Sequence, residues 1–414
     1  MKVIYLFCIC YFAIISQCFC TKYPTQHGRR LSNDICRHVL DVTSKLNKAE
    51  KTIIYRCRLG DDCGGVGDRL GGIMGGAFYA LQSGRSFRIL WPELDHVFQP
   101  GLSNWTFDGP TLGIPYKDEN GEEIDKTRID NNLGNLTTLA YPPRKDIALV
   151  NDLNSRMLVD PDRIAEIEKF PHFFYMGNRG PMKEQFSAIH SIYEWGQYFP
   201  DNDESYAAVY RCVFEGLFRP SEEFLQSEYK SIGHPSVHFL HLLNTMKHPD
   251  ISTMAFHYRV DDFTAESGSS AELISEEVMD RIISISEKHA VQGKSRILFF
   301  VSNSAASMTT VMNNAKMLRS FQAIHCQELS AQIHVNGAVG VKAAADVDVT
   351  KSISSTMQAF RDWWIMRQVD VLVLQLSGFS KSAALLAPDA QIRYEDEGLA
   401  YRSNYWTMCG GRFC

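Results

Sequence analysis

The sequence lacks several motifs that identify common classes of enzyme. It contains no C-x-x-C pair, so neither a zinc site of that type nor a thioredoxin-like centre is supported. It contains no G-x-S-x-G segment, which argues against a serine hydrolase. Long runs of lysine or arginine are absent and the formal net charge is −6, which argues against a broad nucleic-acid-binding surface. Any anionic substrate must therefore be held by individual arginines.

The N-terminus is an apolar run that follows one basic residue. Lys2 precedes the uncharged residues 3–20, which is the pattern of a secretory signal. Small residues near position 20 favour cleavage as a signal peptide, whereas the length of the run also permits a signal anchor. No later segment is apolar enough to span a membrane. We therefore predict that residues 1–20 direct the chain into the lumen of the endoplasmic reticulum or Golgi, or out of the cell.

Cysteines and sequons fit that compartment. The chain has 11 cysteines, and those beyond the signal are Cys36, Cys57, Cys63, Cys212, Cys326, Cys409 and Cys414. Most should pair where the surroundings are oxidising, and their odd number leaves at least one that is free or paired between chains. Asn104 in "NWT" and Asn135 in "NLT" match the N-glycosylation pattern and predict surface loops. The chain is therefore predicted to be a disulfide-bonded glycoprotein.

Apolar strands alternate with amphipathic helices along most of the chain. Residues 51–94 predict a strand, a glycine-rich loop, a helix and a second strand, and the alternation is regular from about residue 250 onwards. This pattern predicts an α/β fold with parallel sheets covered on both faces, whereas residues 100–160 predict a long loop region. The predicted parts after the signal are an N-terminal domain at 21–240, a C-terminal domain at 250–395 and a tail at 396–414.

The stretch "TMAFHYRVDDFTAE", residues 253–266, places many ionisable side chains where an apolar strand ends. They are His257, Arg259, Asp261, Asp262 and Glu266. In parallel α/β sheets the ligand crevice lies beyond the carboxyl ends of the strands. The guanidinium fork of Arg259 suits a phosphate, and a simple ion pair between Arg259 and a neighbouring aspartate is an equal alternative.

A second strand, in "VLVLQLSGFSKS" at 371–382, leads into a helix through Ser377, Gly378 and Ser380. The unpaired backbone N–H groups at a helix N-terminus bind anions. Together with Arg259, this segment predicts a diphosphate held between two strand ends.

The glycine-rich segment "CGGVGDRLGG", residues 63–72, matches a dinucleotide fingerprint only weakly, because Leu70 stands in place of the third glycine. Its glycines predict a backbone that passes close to a neighbour, with Asp68 and Arg69 at the start of a helix. A tight turn with a purely structural role is the alternative.

Four segments resemble, in the same order, segments of the α1,6-, α1,2- and protein O-fucosyltransferase superfamily. "HYRVDDF" at 257–263 is similar to H-x-R-x-D and H-x-R-R-x-D, and "CGGVGDRLGG" is similar to G-x-G-[ND]-[RQ]-[LI]. "LFRPSEEF" at 217–224 resembles L-x-R-P-x-x-x-L, and residues 359–387 resemble the family's late segment. The resemblance implies a GT-B-like fold of two Rossmann-type halves facing across a cleft. It also implies an inverting glycosyltransferase that uses GDP-fucose without a metal or a cofactor.

The resemblance also implies roles for individual residues. Arg259 would contact the β-phosphate, His257 would position the donor and Asp362 would hydrogen-bond the nucleoside. Further positions would line the pyrophosphate (Ser377, Gly378, Phe379 and Ser380) or face the sugar and the acceptor (Gly65, Gly67, Asp68 and Arg69).

An inverting transfer needs a general base for the acceptor hydroxyl. Glu266 lies a few residues beyond the motif arginine, where α1,6 members of the family carry a glutamate, and Asp262 and Asp68 are rivals. The alternative for Glu266 is a solvated position in a polar loop.

Departures from the family pattern leave other interpretations open. Val260 replaces a second arginine, and "VSNSAAS" at 301–307 replaces a T-D-D segment, so Asn303 or Ser304 would contact the base. One alternative is a secreted relative that binds glycans or nucleotide sugars without turnover. Another is a metal-dependent GT-A enzyme, because D-x-D triplets occur at 160–162, 201–203 and 346–348. The leading hypothesis is a lumenal fucosyltransferase whose partners are a nucleotide sugar and a glycan or protein acceptor, with membrane contact only through an N-terminal anchor.

Overall fold

The structure of the chain is a computed structural model. It describes residues 26–47, 49–57, 63–107, 139–140, 147–152, 161–177, 180–181, 183–259, 273–327, 349–374, 377–387 and 392–395. The predicted signal, the predicted tail and the sequon at Asn135 lie outside these residues.

A first sheet is built from the N-terminal part of the chain. Its region contains α1 (Gln26–Ser44), β1 (Thr52–Arg56), α2 (Val66–Ser83), β2 (Ser86–Leu90), β3 (Phe98–Pro100), β4 (Leu139–Ala140), β5 (Ile147–Asp152), α3 (Pro161–Ile167), β6 (His172–Gly177), α4 (Lys183–Ile192), α5 (Asp203–Leu217) and β7 (Phe218–Pro220). The strand order is β2-β1-β6-β5-β4, and only the β4–β5 pair is antiparallel. Every residue of β1 is buried, as expected for the interior of a parallel sheet.

A second sheet follows in the C-terminal part. Its region contains α6 (Glu222–Gln226), β8 (Glu228–Tyr229), β9 (Val237–His238), α7 (Phe239–Met246), β10 (Ile251–Tyr258), α8 (Glu276–Lys288), β11 (Ser295–Ser302), α9 (Ala305–Asn313), α10 (Ala315–Ser320), β12 (Ala323–His325), α11 (Val349–Gln368), β13 (Val371–Leu374), α12 (Gly378–Leu385) and β14 (Ile392–Glu395). The order is β12-β11-β10-β13-β14, with all four pairs parallel. The direction of strand order reverses between β10 and β13, which is where ligands bind in such sheets.

Alternation along β10 decides which side chains face the first half. Met254, Phe256 and Tyr258 join an outer cluster with residues of α8, α9 and α10. Ala255 belongs instead to the main core, which also contains residues of the first sheet. Because successive side chains of a strand point to opposite faces, His257 points to the same face as Ala255.

The two halves share one hydrophobic core, and α11 lies at its centre. Phe360 packs on Trp91 with ring centroids 5.8 Å apart, and Trp363 packs on Phe214 at 5.6 Å. The main cluster accordingly runs without interruption from α1 to α12. The sheets lie on opposite sides of the predicted domain boundary at residues 240–250, and the boundary itself stays a prediction.

The α/β class and the two halves with parallel sheets are confirmed, and two local predictions are wrong. Helix α2 begins at Val66, inside the segment predicted as a glycine-rich loop, because Gly65 acts as its N-cap. The predicted loop region at 100–160 contributes β4 and β5 to the first sheet. Its polar and turn-forming composition concealed the apolar "IALV" at 147–150.

Two disulfides tie the N-terminal half together, which confirms the prediction that cysteines pair. One joins Cys36 in α1 to Cys212 in α5, and the other joins Cys57 after β1 to Cys63 before α2. In the described part of the chain Cys326 is a buried free cysteine. None of the described helices combines the length and the apolar character needed to cross a membrane.

Candidate functional site

The N-termini of α2 and α12 meet at the junction of the two halves. Gly67 in the first turn of α2 lies so close to α12 that a Cβ atom there would be 2.3 Å from the backbone nitrogen of Phe379. A Cβ on Gly378 would lie 3.3 Å from Oδ1 of Asp68. Glycine at position 67 is therefore required for the contact, because real Cβ atoms do not approach backbone atoms this closely. The prediction that this glycine-rich segment passes close to a neighbour is confirmed.

The side chains beside Gly67 hold the start of α2 in place. Oδ2 of Asp68 accepts a hydrogen bond from the backbone N–H of Gly65 at 3.2 Å, so Asp68 caps its own helix. Nε of Arg69 donates to the backbone oxygen of Gly64 at 3.0 Å. The Arg69 guanidinium also lies over the indole ring of Trp91, with Cζ 4.9 Å from the ring centroid. Both side chains thus have structural contacts at the position where the resemblance implies the sugar and acceptor.

His257 lies next to this contact, at the carboxyl end of β10. Its imidazole is buried and packs on the ring of Phe379 with a centroid distance of 5.6 Å. Burial, followed by the positive charge of Arg259, lowers the pKa of His257 to about 3. The ring is therefore neutral near pH 7, and its Nδ1 has no hydrogen-bond partner among the described residues. A neutral imidazole with an unused ring nitrogen is suited to a hydrogen bond with a ligand.

Arg259 is the last described residue before a gap in the described chain. It follows β10 directly and is exposed, one step beyond the buried end of the strand. Val260, Asp261, Asp262 and Glu266 lie outside the described residues, so an ion pair with one of the aspartates stays an alternative. The predicted bases Glu266 and Asp262 likewise stay predictions.

The hydroxyls that open α12 are used inside the helix start. Ser377 is the N-cap, and its Oγ accepts the backbone N–H of Phe379 at 3.3 Å. The Oγ of Ser380 donates to the backbone oxygen of Ser377 at 3.4 Å. The hydroxyls thus shape the helix N-terminus, and Ser377 uses the N–H of Phe379, so the other first-turn N–H groups are the donors that this helix N-terminus offers to an anion.

Asp362 is separate from this group. It is buried on α11 beside Arg361, whose Nη1 donates to Oγ of Ser227 at 2.9 Å. Burial raises the pKa of Asp362 to about 7, and the charge of Arg361 only partly opposes that shift. Burial and then Asp362 raise the pKa of Cys326 to about 12. Cys326 follows β12, the edge strand of the second sheet, which lies three positions from β13. Because Asp362 affects the pKa of Cys326, Asp362 lies near that edge of the sheet.

The structure therefore gathers most of the predicted residues into one place. Those that meet are Gly65, Gly67, Asp68, Arg69, His257, Arg259, Ser377, Gly378, Phe379 and Ser380. Asp362 lies apart with Tyr229, Arg361 and Cys326, which the sequence did not single out. An acidic and a basic residue side by side inside an apolar helix are the signal by which Arg361 could have been found. Ser304, predicted to contact the base, caps α9 by accepting the N–H of Ser307 at 3.2 Å.

The described residues contain no group of three or more histidine, cysteine, aspartate or glutamate side chains arranged to hold a metal ion. Of the three D-x-D triplets, the pair Asp201 and Asp203 is described, and both residues are exposed. Asp203 accepts a hydrogen bond from Lys183 at 3.1 Å. Asp160, Asp346 and Asp348 lie outside the described residues.

No protein-family model matches the sequence, and no curated protein matches it by sequence. In structure, the chain is similar to a mutant of FUT1 from Arabidopsis thaliana in complex with GDP, with 13% identity, a TM-score of 0.49 and coverage of 90% of this chain and 81% of that chain. It is similar to the fucosyltransferase NodZ from Bradyrhizobium, with 12% identity, a TM-score of 0.41 and coverage of 82% and 92%. It is also similar to POFUT1 in complex with GDP-fucose, with 10% identity, a TM-score of 0.40 and coverage of 85% and 99%. At these identities the similarity concerns the backbone fold and assigns no role to individual residues.

Proposed function

We propose that the chain is a fucosyltransferase that moves fucose from GDP-fucose to a hydroxyl group of a glycan or protein. One observation carries the proposal: the N-termini of α2 and α12 meet beside the strand end that bears His257 and Arg259. These positions are the ones at which the sequence resembles the fucosyltransferase superfamily. The geometry and the resemblance therefore support the same site.

The diphosphate of the donor would bind at the switch point between β10 and β13. The first-turn N–H groups of α12, other than that of Phe379, would donate to an anion at that position, and the helix dipole would add a favourable partial charge. Arg259 lies beyond the end of β10, where its guanidinium would form charge-assisted hydrogen bonds to the β-phosphate. We assign anion binding to these N–H groups rather than to Ser377 and Ser380, whose hydroxyls have partners within the helix.

The nucleoside would extend along the carboxyl edge of the second sheet, from the end of β13 towards the end of β12. Asp362 is buried at that far end, and an ionised carboxylate there would accept hydrogen bonds from ring and exocyclic N–H groups of guanine. Because the pKa of Asp362 is raised to about 7, nucleotide binding would favour its deprotonated form. Donor affinity should consequently increase as the pH rises through 7.

In the transfer step the acceptor oxygen would attack the anomeric carbon from the face opposite the diphosphate, which inverts the configuration. Negative charge develops on the β-phosphate as its bond to the sugar breaks. Arg259 would stabilise that charge, and a single preorganised donor of this kind is worth about 3 kcal/mol of the activation barrier. No metal or cofactor is part of the proposal. The apolar N-terminus and the two disulfides support a location in the secretory lumen.

The experiment compares GDP release from GDP-fucose for the wild-type chain and for Arg259→Ala and Arg259→Lys. We expect Arg259→Ala to lower kcat about 100- to 1,000-fold. Lysine should restore only part of this loss, because it keeps the charge but not the planar fork. Arg319→Ala, at an exposed position in α10, is the matched control and should leave the rate unchanged. Equal rates for wild type and Arg259→Ala would remove the catalytic role.

A second candidate is a binding protein that kept the fold and lost turnover. Val260, which replaces a second arginine of the motif, favours this alternative because it removes one contact to phosphate or sugar. A thermal-shift screen of GDP-sugars and UDP-sugars separates the two, since a bound donor stabilises the folded chain. Stabilisation by GDP without any release of GDP from GDP-fucose would establish the binding protein.

A further inference from the structure

A seam between the two halves runs from the loop after β2 to helix α11. Oγ of Ser352 donates a hydrogen bond to Oε1 of Glu93 at 2.7 Å, and the ring of Phe360 packs on Trp91 with centroids 5.8 Å apart. Residues four apart lie on the same face of a helix, so Thr356 lies between these two contacts and faces the same loop. We call Trp91, Glu93 and Thr356 the seam triad.

Each member of the seam triad is buried with an unused polar atom. Trp91 is 1% exposed, Glu93 5% and Thr356 0%. Nε1 of Trp91, Oε2 of Glu93 and Oγ1 of Thr356 have no hydrogen-bond partner among the described residues. Buried polar atoms in folded proteins nearly always have a partner, so three in one seam require an explanation. One donor, one acceptor and one hydroxyl match the hydrogen-bonding capacity of sugar hydroxyl groups.

The seam triad adjoins the proposed donor site. The Arg69 guanidinium that covers Trp91 belongs to the first turn of α2, and the preceding Asp68 lies against Gly378 at the start of α12. Trp91 and Glu93 belong to the first half and Thr356 belongs to α11 of the second half, so the triad spans the seam beside this contact. An acceptor hydroxyl held there would lie next to the contact between α2 and α12, beside the proposed donor site.

We propose that the seam triad binds the reacting hydroxyl of the acceptor and that Glu93 is its general base, an inference that rests on the proposed function. Oε2 of Glu93 takes the proton from the acceptor hydroxyl. The electron pair of the acceptor oxygen forms the new bond to the anomeric carbon. The bond between that carbon and the diphosphate oxygen breaks, and its electron pair leaves with GDP. Trp91 and Thr356 orient the acceptor, and the hydrogen bond from Ser352 holds the carboxylate in position.

The test uses the full chain and GDP-fucose, with water as the acceptor, and reads GDP release across pH alongside GDP affinity by calorimetry. We expect Glu93→Gln to bind GDP within twofold of wild type, to slow GDP release about 100-fold and to lose the acidic limb of the pH profile. Thr356→Val, which keeps the shape and removes the hydroxyl, should raise KM more than it lowers kcat for an added sugar alcohol acceptor. Asp95→Asn, in the same turn as Glu93, is the control and should match wild type.

Different outcomes distinguish a failure of this inference from a failure of the proposed function. Wild-type turnover by Glu93→Gln overturns the inference and leaves the proposed function intact. An equal loss of rate in Glu93→Gln and Ser352→Ala, with an unchanged pH profile, also overturns it, because Glu93 would then only position the loop. Absence of GDP binding by the wild-type chain removes the proposed function, and the base with it.

Discussion

The rings of Phe98 and Trp364 pack 5.9 Å apart across the junction between the two halves. Phe98 also packs edge-on against Phe360 at 5.2 Å and against Phe214 at 5.7 Å. A single side chain of the first half thus contacts α11 of the second half and α5 of its own. The halves are joined by core packing, in contrast to the small polar interfaces that permit independent domain motion.

This packing predicts one cooperative unfolding transition for the two halves. Phe98→Ala should lower the free energy of unfolding by about 3–5 kcal/mol, because it removes buried ring area and leaves a cavity. Leu102→Ala, at an exposed position four residues later, should change it by less than about 0.5 kcal/mol. Urea denaturation followed by fluorescence and by circular dichroism measures both variants. Two separate transitions in the wild-type chain would contradict the shared core.

The close approach of Gly67 to α12 predicts a large effect of one methyl group. Gly67→Ala would drive a Cβ into the backbone of Gly378 and Phe379, which has no flexible side chain to move aside. We expect a loss of about 1–3 kcal/mol in the free energy of unfolding and weaker GDP binding. Gly180→Ala is the control, since no atom lies within 4 Å of the added Cβ. Equal stability of the two variants would show that the helices do not meet in this way.

The raised pKa of Asp362 predicts a pH dependence of stability. The pKa is about 7 in the folded chain against an ordinary value of 3.8, so the folded state holds a proton that the unfolded state has lost. The stabilisation is present in full below about pH 4 and is lost as the pH rises through 7. Asp362→Asn should abolish this part of the pH dependence, whereas Asp201→Asn on the surface should keep it. Melting temperatures from pH 4 to pH 8 measure the difference.

The sequon at Asn104 predicts one N-linked glycan if the chain enters the secretory lumen. Asn104 is exposed, and its Oδ1 accepts the backbone N–H of Thr106 at 3.1 Å, so the amide nitrogen remains available. Trp105 between them is buried and anchored by a hydrogen bond from Nε1 to Leu217 at 2.8 Å. In secreted protein, Asn104→Gln and Thr106→Ala should each remove the mass of one glycan. Asn303→Gln, outside any sequon, is the control, and an unchanged mass in the first two variants would contradict the prediction.

Local patterns in the sequence were sufficient to predict most of the second half. Short apolar runs identified β10 and β11, helical periodicity identified α11, and the general rule for parallel sheets predicted His257, Arg259 and Ser377 at strand ends. Local patterns did not predict where α2 begins, because its first residues have the composition of a loop. A glycine-rich, weakly apolar stretch became the first turns of α2, because Gly65 and Asp68 cap it and its glycines allow close packing.

The sequence by itself determined the alternation of strands and helices and the chemistry available at each strand end, because both depend on residues close together in the chain. Only the tertiary structure decided that Gly67 meets Phe379, that Glu93 meets Ser352, and that Asp362 lies apart from the proposed phosphate site. Those relationships join residues separated by hundreds of positions. They follow from how two sheets pack around α11, and no local spacing encodes which distant backbones approach within contact distance.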